Sequence, residues 1–357
     1  MGNFNIKEYV DSLPNDVDEI DVSFKKFKYL PNLSRFKKLE ILNCRNNNLT
    51  SLPDLPENLK ELYCCDNNLT TLPVLPKNLK KLYCRNNNLT SLPDLPKKLK
   101  ILDCNNNNLT TLPVLPENLE SIYCSYNKLT SLPVLPKKLK ILDCNNNNLT
   151  SLPVLPEKLE ILYCYNNKLI LLPVLPEKLE RLYCWNNNLT SLPVLPKKIK
   201  ELHCNNNKLT SLPLLNKNLK YLCCYNNNLT SLPVLPEKIK ELHCNNNKLT
   251  SLPILPEKLE ILYCHYNNLK SLPVFPENLE ELLYYSNPIY DIIYNNNLNI
   301  VKKEIKIWNN FRHLYYCLKY RKGFLKMMEP IIKKRYHPSY LYDLKEEDDL
   351  DEKLGKW

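Results

Sequence analysis

The stretch from Leu59 to Asn78 reads LKELYCCDNNLTTLPVLPKN, and close versions of it recur every 20 residues from Leu39 to Asn278. One unit has the form L-x-x-L-x-C-x-x-N-x-L-x-x-L-P-x-L-P-x-x, and we number its positions 1 to 20 from the first Leu. Twelve units carry a cysteine at position 6, from Cys44 to Cys264. Self-similarity at a short fixed period indicates a solenoid, in which each unit packs on its neighbours. The fixed positions of the first unit hold Leu39, Leu42, Cys44, Asn47, Leu49 and Leu52.

Atypical units flank this array. A thirteenth unit begins at Leu279, places Tyr284 where the others have Cys, and keeps an asparagine at Asn287. Upstream, a 22-residue variant of the pattern holds Val17, Ile20, Val22, Phe27 and Leu30-Pro31. We therefore expect about fourteen turns, which must stack because one 20-residue unit cannot bury its own apolar face.

The residue pattern within a unit predicts its local structure. Leu42 and Cys44 alternate with Asn43 and Arg45, which is typical of a strand with one buried face. An asparagine then occupies position 9 in all thirteen units, and stacked asparagines are predicted to form a ladder of bonds between turns. The Leu-Pro-x-Leu-Pro segment should return in an extended, polyproline-like path with both leucines inward, because Pro fixes φ and disfavours helix before it.

These units resemble the leucine-rich repeat family, whose signature is L-x-x-L-x-L-x-x-N/C-x-L. The second half, as in Leu52-Pro53-Asp54-Leu55-Pro56, resembles the LPX-type repeats of bacterial effectors and giant-virus proteins. The resemblance covers about residues 17–292, with Cys in place of the third Leu. It implies an arc-shaped leucine-rich-repeat solenoid with a parallel β-sheet on the concave face, a polyproline-like convex side and a small α-helical C-terminal cap. We expect an N-terminal cap at 1–16 and the solenoid at 17–297.

Composition narrows the classes of function. The 357 residues include no Ala, no Gln and only three Gly, which argues against a doubly wound nucleotide-binding enzyme. No run of about 18 apolar residues predicts a membrane span, and the N-terminus shows no apolar signal segment. We therefore expect a cytoplasmic protein of viral or effector type.

The cysteines allow three interpretations. Zinc sites favour C-x2-4-C pairs, which the sequence lacks, and disulfides are rare in a reducing compartment. The interpretation we favour is that Cys serves as a small apolar side chain in a crowded core. Metal binding and disulfides between neighbouring turns remain as alternatives.

A candidate binding patch comes from the variable strand positions 3, 5 and 7, which should face solvent on the concave side. Tyrosines dominate position 5, and Tyr, Trp and Arg are enriched at interface hot spots. The alternative is neutral drift on a tolerant surface. The predicted partner-binding residues are Ile161, Tyr163, Tyr165, Arg181, Tyr183, Trp185, His203 and Tyr225.

Catalysis finds little support in the sequence. Asp103 and Asp143 lie two turns apart, about 10 Å by strand spacing, which is far for acid–base cooperation. Cys65 and Cys223 are expected to be exposed on the concave face, but no neighbouring residue would activate them. We expect no enzyme activity, no catalytic residues, no metal, no cofactor and no small-molecule substrate.

The C-terminal segment changes character after Asn297. Apolar residues at intervals of three and four predict a helix at 299–322 and a shorter one within 324–336. We expect a basic helical cap at 298–342 and an acidic tail at 343–357. Eleven Lys and Arg against two Glu at 301–335 also suggest an anionic partner.

The predicted function is therefore a non-catalytic interaction module that binds a protein partner on its concave face. One alternative is binding of nucleic acid or an anionic membrane surface through the basic C-terminal helix, including Lys333, Lys334 and Arg335. A second alternative, a substrate adaptor for a ubiquitin ligase, rests on analogy with effectors of this family.

Overall fold

The computed structural model describes residues 5–295 and 297–319. Within them, fourteen three-residue strands form one parallel sheet in chain order, as the repeat predicts. From β2 onward, each residue lies opposite the one twenty positions later, so that Leu42 pairs with Leu62. The strands are β1 (Glu19–Asp21), β2 (Ile41–Asn43), β3 (Glu61–Tyr63), β4 (Lys81–Tyr83), β5 (Ile101–Asp103), β6 (Ser121–Tyr123), β7 (Ile141–Asp143), β8 (Ile161–Tyr163), β9 (Arg181–Tyr183), β10 (Glu201–His203), β11 (Tyr221–Cys223), β12 (Glu241–His243), β13 (Ile261–Tyr263) and β14 (Glu281–Leu283).

The core lies directly behind this sheet. In the unit that starts at Leu159, the side chains of Leu159, Leu162, Cys164 and Leu169 are completely buried. The same positions are buried in the other units, and together they form a continuous apolar column. The sheet and its column confirm the predicted leucine-rich-repeat solenoid.

The Leu-Pro-x-Leu-Pro segments, which we call the return segments, have no regular hydrogen-bonded structure. Leu72 and Leu75 point inward and are 9% and 6% exposed, whereas Val74 between them is 87% exposed. This alternation confirms the extended path with two inward leucines. It also leaves position 16 of most units as an aliphatic side chain in water.

An asparagine ladder joins the turns, as predicted. Asn67 Nδ2 donates to the carbonyl oxygens of Cys44, Cys64 and Cys65 at 3.0, 3.3 and 3.0 Å, and its Oδ1 accepts from the backbone N–H of Leu49 at 3.0 Å. One side chain thus satisfies backbone groups of two adjacent turns. The same bonds recur down the stack to Asn287.

The residue before each ladder asparagine has a left-handed backbone. From Asn46 to Ser286, position 8 has φ between 50° and 55° in every unit. Asparagine tolerates this region better than other non-glycine residues do, which explains its frequency at position 8. The sequence alone does not reveal this backbone, because an Asn at this position is equally typical of a polar surface residue.

The N-terminal helix α1 spans Ile6–Ser12, and Asn5 caps it by accepting from the N–H groups of Lys7 and Glu8. Ile6 and Val10 are its buried side chains. The Arg35 guanidinium donates to the carbonyl oxygens of Val10 and Leu13. These bonds tie α1 and the residue after it to the loop that contains Arg35.

The chain separates into two compact units, the first ending at Tyr294 and the second beginning at Asn295. Tyr284 replaces the ladder cysteine in the last turn of the first unit, and its hydroxyl donates to the carbonyl oxygen of Ile293 at 2.7 Å. In the second unit, helix α2 spans Leu298–Lys319 and so begins one residue before the predicted 299–322, whose last three residues lie outside the described residues. The predicted second helix, the basic residues Lys333, Lys334 and Arg335, and the acidic tail lie outside the described residues.

Across residues 5–295 and 297–319, no helix is long and apolar enough to cross a membrane.

Candidate functional site

Three rings of the predicted patch stack along position 5 of adjacent strands. The ring centroids of Tyr163 and Tyr183 lie 4.8 Å apart, and those of Tyr183 and His203 lie 4.7 Å apart. The spacing equals the distance between neighbouring strands, so the sheet itself holds the rings in a column. Parallel pairing therefore fixes this column before any partner binds.

A second pair of rings lies beside the column at position 7. Tyr165 and Trp185 stack with centroids 3.8 Å apart, and Trp185 meets Tyr183 edge-on at 5.7 Å. Trp185 also approaches His203 at 6.0 Å. We call these five residues, Tyr163, Tyr165, Tyr183, Trp185 and His203, the aromatic cluster.

Charged side chains border the cluster at position 3. Arg181 Nε lies 3.2 Å from a carboxylate oxygen of Glu201, and the Tyr183 hydroxyl donates to the same carboxylate. Burial and then this hydrogen bond raise the pKa of the Tyr183 hydroxyl well above its usual value. Burial lowers the pKa of His203, so its ring is neutral at pH 7. Glu201 was not among the predicted residues, although it occupies position 3, one of the three strand positions that the sequence predicts to face solvent.

The structure brings together most of the predicted patch. Ile161 pairs in register with Arg181 on the adjacent strand and so adjoins the cluster. Tyr225 stands apart, because Asn205 lies between it and Trp185 along position 7. Among the described residues, Tyr225 makes no ring contact with the cluster.

Two further aromatic groups escaped the sequence prediction. Tyr63 and Tyr83 stack at 4.8 Å near the N-terminal end of the sheet. Near its C-terminal end, His265 stacks on Tyr285 at 4.5 Å and meets Tyr266 edge-on at 5.6 Å. His265 and Tyr285 both occupy position 7, so the sequence could have indicated the second group. Aromatic residues are frequent along positions 5 and 7, however, and their number alone does not distinguish this group.

The expected exposure of Cys65 and Cys223 is wrong. Their side chains are buried, at 5% and 9% exposure. They lie between bulkier neighbours on the sheet face, which cover a side chain as short as Cys. Burial raises the pKa of Cys65 to about 11 and that of Cys223 to about 12, so both thiols are protonated at pH 7.

The ladder cysteines from Cys44 to Cys264 are free thiols and are fully buried. Burial raises the pKa of each, as for Cys164. The predicted role of Cys as a small core side chain is confirmed by this burial. In the described part of the chain, no three His, Cys, Asp or Glu side chains are placed to hold a metal ion.

The two aspartates on the sheet face are partly desolvated. Burial raises the pKa of Asp103, and it raises the pKa of Asp143 to about 6. A carboxyl group with a raised folded-state pKa binds a proton more readily in the folded state, so its folded state loses stability as pH rises from about 4 to 6.

Replacing Asp143 with Asn should therefore stabilise the protein at pH 7.5, by about 1–2 kcal/mol. The Asn145 side chain, which donates to Asp143 Oδ1, retains an acceptor in the variant. Urea unfolding at pH 7.5 and at pH 3 measures the effect, and the gain should largely disappear at pH 3, where Asp143 is mostly protonated in both the folded and the unfolded state. An equal gain at both pH values would show that the charge of Asp143 is not the cause.

Comparisons with known proteins agree on one family. A family model described as leucine-rich repeats in two copies matches residues 57–97, 77–117 and 117–157, and one described as a leucine-rich repeat matches 38–59. A comparison with curated proteins gives no match. Many solved structures do match.

Three solved structures illustrate the likeness. YopM, an effector from Yersinia pestis, is 36% identical with a TM-score of 0.66, and the alignment covers 77% of this chain and 84% of that one. The functional domain of InlJ from Listeria monocytogenes, described as including a cysteine ladder, is 30% identical with a TM-score of 0.62, covering 74% and 67%. The FLRT2 repeat in an octameric complex with Latrophilin 3 and Unc5D is 25% identical with a TM-score of 0.52, covering 62% and 80%.

A stacked parallel sheet, an asparagine ladder and these matches define a repeat scaffold of the kind that generally serves protein interaction without catalysis. The chain belongs to the leucine-rich repeat family.

Proposed function

We propose that the chain is a non-catalytic module that binds a protein partner on the sheet face, around the aromatic cluster. The observation that carries the proposal is the contact of five rings from three adjacent turns at one place beside the sheet. Tyr, Trp and Arg side chains supply large contact areas in interface centres. None of the five is fully buried, so each keeps surface for a partner.

The cluster is organised before binding. Each ring already packs on a neighbour, and Tyr183 is further held by its hydrogen bond to Glu201. Side chains that are ordered in the free protein lose little conformational entropy on association. A partner therefore gains most of the contact energy of these rings.

Related proteins supply further support. The FLRT2 repeat occurs in a complex with other proteins, and the similar YopM is an effector protein. We propose an effector-like role for this chain on that basis. The unpaired thiols of the solenoid favour a reducing compartment such as the cytoplasm.

The proposal is tested with four full-length chains immobilised for capture from cytosolic extract. They are the unchanged chain, a triple variant (Tyr163→Ala, Tyr183→Ala, Trp185→Ala), a control (Tyr63→Ala, Tyr83→Ala) and a basic-tail variant (Lys333→Ser, Lys334→Ser, Arg335→Ser). Tyr63 and Tyr83 form a matched control because they stack at position 5 of the same sheet. Thermal unfolding checks that all four fold.

We expect the triple variant to lose its partner by about a hundredfold in affinity, as for removal of several hot-spot residues, while the two other variants retain it. Binding should persist between about 0.15 M and 0.5 M salt, since it does not depend on phosphate contacts. Loss in the basic-tail variant or at high salt, with retention by the triple variant, would refute the proposal and favour an anionic partner.

A further inference from the structure

A row of aliphatic side chains runs along the return segments at position 16. Their exposed fractions lie between 83% and 89%, which is unusual for residues of this type in a contiguous surface. Position 16 is aliphatic in every turn from Val114 to Val274, the last of which is 60% exposed, whereas Asp54 and Asp94 occupy it in earlier turns. The row comprises the eight of these side chains that are at least 83% exposed. Its members are Val114, Val134, Val154, Val174, Val194, Leu214, Val234 and Ile254. We call this set the aliphatic row.

The unit of Val174 carries two further exposed aliphatic side chains. Positions 12 and 13 hold Thr with Ser or Thr in the turns on either side, but Ile170 and Leu171 occupy them in the unit of Val174. These two side chains are 56% and 59% exposed. Thr and Ser at these two positions, as in the neighbouring units, would have made this surface polar. The extra apolar area thus belongs to one of the two central units of the row.

Charged residues at position 19 accompany the row. Lys97 and Glu117 line the same surface depression as Val114, so position 19 shares a surface with position 16. Over the six inner turns the charges read plus, minus, minus, plus, plus, minus: Lys137, Glu157, Glu177, Lys197, Lys217 and Glu237. All six are exposed, and none forms an ion pair within the described residues.

Charges at position 2 behave differently. Lys200 pairs with Glu180 at 2.6 Å, and Lys240 pairs with Glu260 at 2.6 Å, each across adjacent turns. Most of the charges at position 2 are therefore paired with one another within the chain. The six charges at position 19 are antisymmetric about the midpoint between Val174 and Val194. Two residues at equal distances on either side of that midpoint carry opposite charges.

We infer that the aliphatic row is a self-association surface, on which a second copy of this chain packs antiparallel about a two-fold axis between Val174 and Val194. Such an axis lies in the plane of contact and crosses the rows at right angles. It reverses the order of the turns but leaves the position across the row unchanged, so position 16 faces position 16 and position 19 faces position 19. Val174 then faces Val194 of the second copy. The charge pairs across the contact are Glu177 with Lys197, Glu157 with Lys217, and Lys137 with Glu237.

A second copy fits the row better than an unrelated partner does. Only another solenoid of this kind repeats an aliphatic side chain at the same spacing along eight turns. Burying one such side chain removes about 100 Å² of apolar surface, so the eight side chains of the row supply roughly 800 Å² per copy, which matches the area that each partner buries in a standard interface.

The charges also select the register. Shifting the axis onto Val174 would bring Glu177 against its own copy and Lys137 against Lys217, which is unfavourable. In the proposed register the like-charged pair is Glu117 with Glu257, at the outer ends of the row. The contact uses the return segments, so it leaves the aromatic cluster free and does not depend on the proposed function.

The first test replaces the centre of the row in the full chain, with Val174→Asp and Val194→Asp combined. Asp is compatible with the fold at this position, because Asp54 and Asp94 occupy it in other turns. Sedimentation equilibrium under reducing conditions should show a dimer for the unchanged chain and a rise in the dimer Kd of at least about a hundredfold for the double variant. The control Val74→Asp, outside the row, should leave the Kd unchanged.

A charge exchange tests the register. Glu177→Lys alone and Lys197→Glu alone each create two like-charged pairs across the axis and should raise the dimer Kd by about tenfold. The combined variant restores both pairs and should return the Kd to that of the unchanged chain. A monomeric unchanged chain would overturn the inference, and so would a dimer that survives Val174→Asp with Val194→Asp. Equal weakening by the single and combined charge variants would overturn the proposed register.

Discussion

Replacing Asn147 with Ala should lower the free energy of unfolding by about 3 kcal/mol, because the change leaves buried backbone groups of two turns without partners. Asn147 Nδ2 donates to the carbonyl oxygens of Cys124, Cys144 and Asn145 at 3.0, 3.2 and 3.0 Å. Its Oδ1 accepts from the N–H of Leu129 at 3.0 Å. Ala can make none of these bonds, and the Asn147 side chain is buried, at 8% exposure.

The neighbouring Asn146 provides the matched control. Its φ of 51° is unfavourable for Ala, so Asn146→Ala should cost about 1 kcal/mol. Asn146→Gly should be close to neutral, since Gly adopts this backbone freely. Urea unfolding followed by far-UV circular dichroism measures all three variants. If Asn147→Ala and Asn146→Ala lose equal stability, the ladder bonds do not make the contribution assigned to them.

Hydrogen exchange adds a local measurement. In Asn147→Ala, protection of the Leu129 amide should fall more than that of amides several turns away, because nearest-neighbour contacts dominate repeat stability. A uniform fall along the solenoid would indicate that the stack unfolds as one cooperative unit.

The ladder thiols should react with a thiol reagent only when the protein unfolds. They are fully buried, and burial raises the pKa of each thiol, so both access and thiolate formation are suppressed at pH 8. Native labelling should be slower than labelling in urea by a factor of about 10³ or more, the size of an ordinary unfolding equilibrium constant.

Cys65 and Cys223 provide an internal comparison for this measurement. They retain slight exposure, so they should label before the ladder thiols but still slowly. A Cys317→Ser background removes the cysteine that lies outside the described side chains. Rapid labelling of about a dozen thiols in the native protein would contradict the buried-core role, and a loss of free thiols under oxidising conditions without unfolding would revive the disulfide alternative.

The repeat alone was sufficient to predict the sheet, its parallel order and the inward residues. Leu42, Cys44 and Asn47 occupy positions whose burial follows from their spacing. A strand register shifted by one residue would expose an apolar side chain to water in each of the twelve units. The ladder could be predicted for the same reason, since an asparagine at the same position of thirteen stacked turns lies next to the backbone of the neighbouring turn in each case.

Tertiary structure decided how side chains that share a face meet one another. Position 5 and position 7 identified Tyr183 and Trp185 as neighbours, but the edge-on contact between them and the bond from Tyr183 to Glu201 depend on rotamers and strand spacing. Tyr225 satisfies the same positional rule and yet stays outside the ring contacts. Cys65 and Cys223 occupy solvent-facing positions and are nevertheless covered by larger neighbours.

The sequence by itself therefore determined the period, the stacking and the identity of the core, since these depend on the order of residues within a unit. Only the tertiary structure decided which surface residues are covered, paired or left in water. Val174 shows the reason: its place between two inward leucines can be read from the repeat, but its 85% exposure and the unpaired charges of Glu177 and Lys197 beside it depend on what neighbouring turns supply across the surface. Periodicity specifies how a turn contacts the next turn, while exposure depends on side-chain volumes summed over several turns.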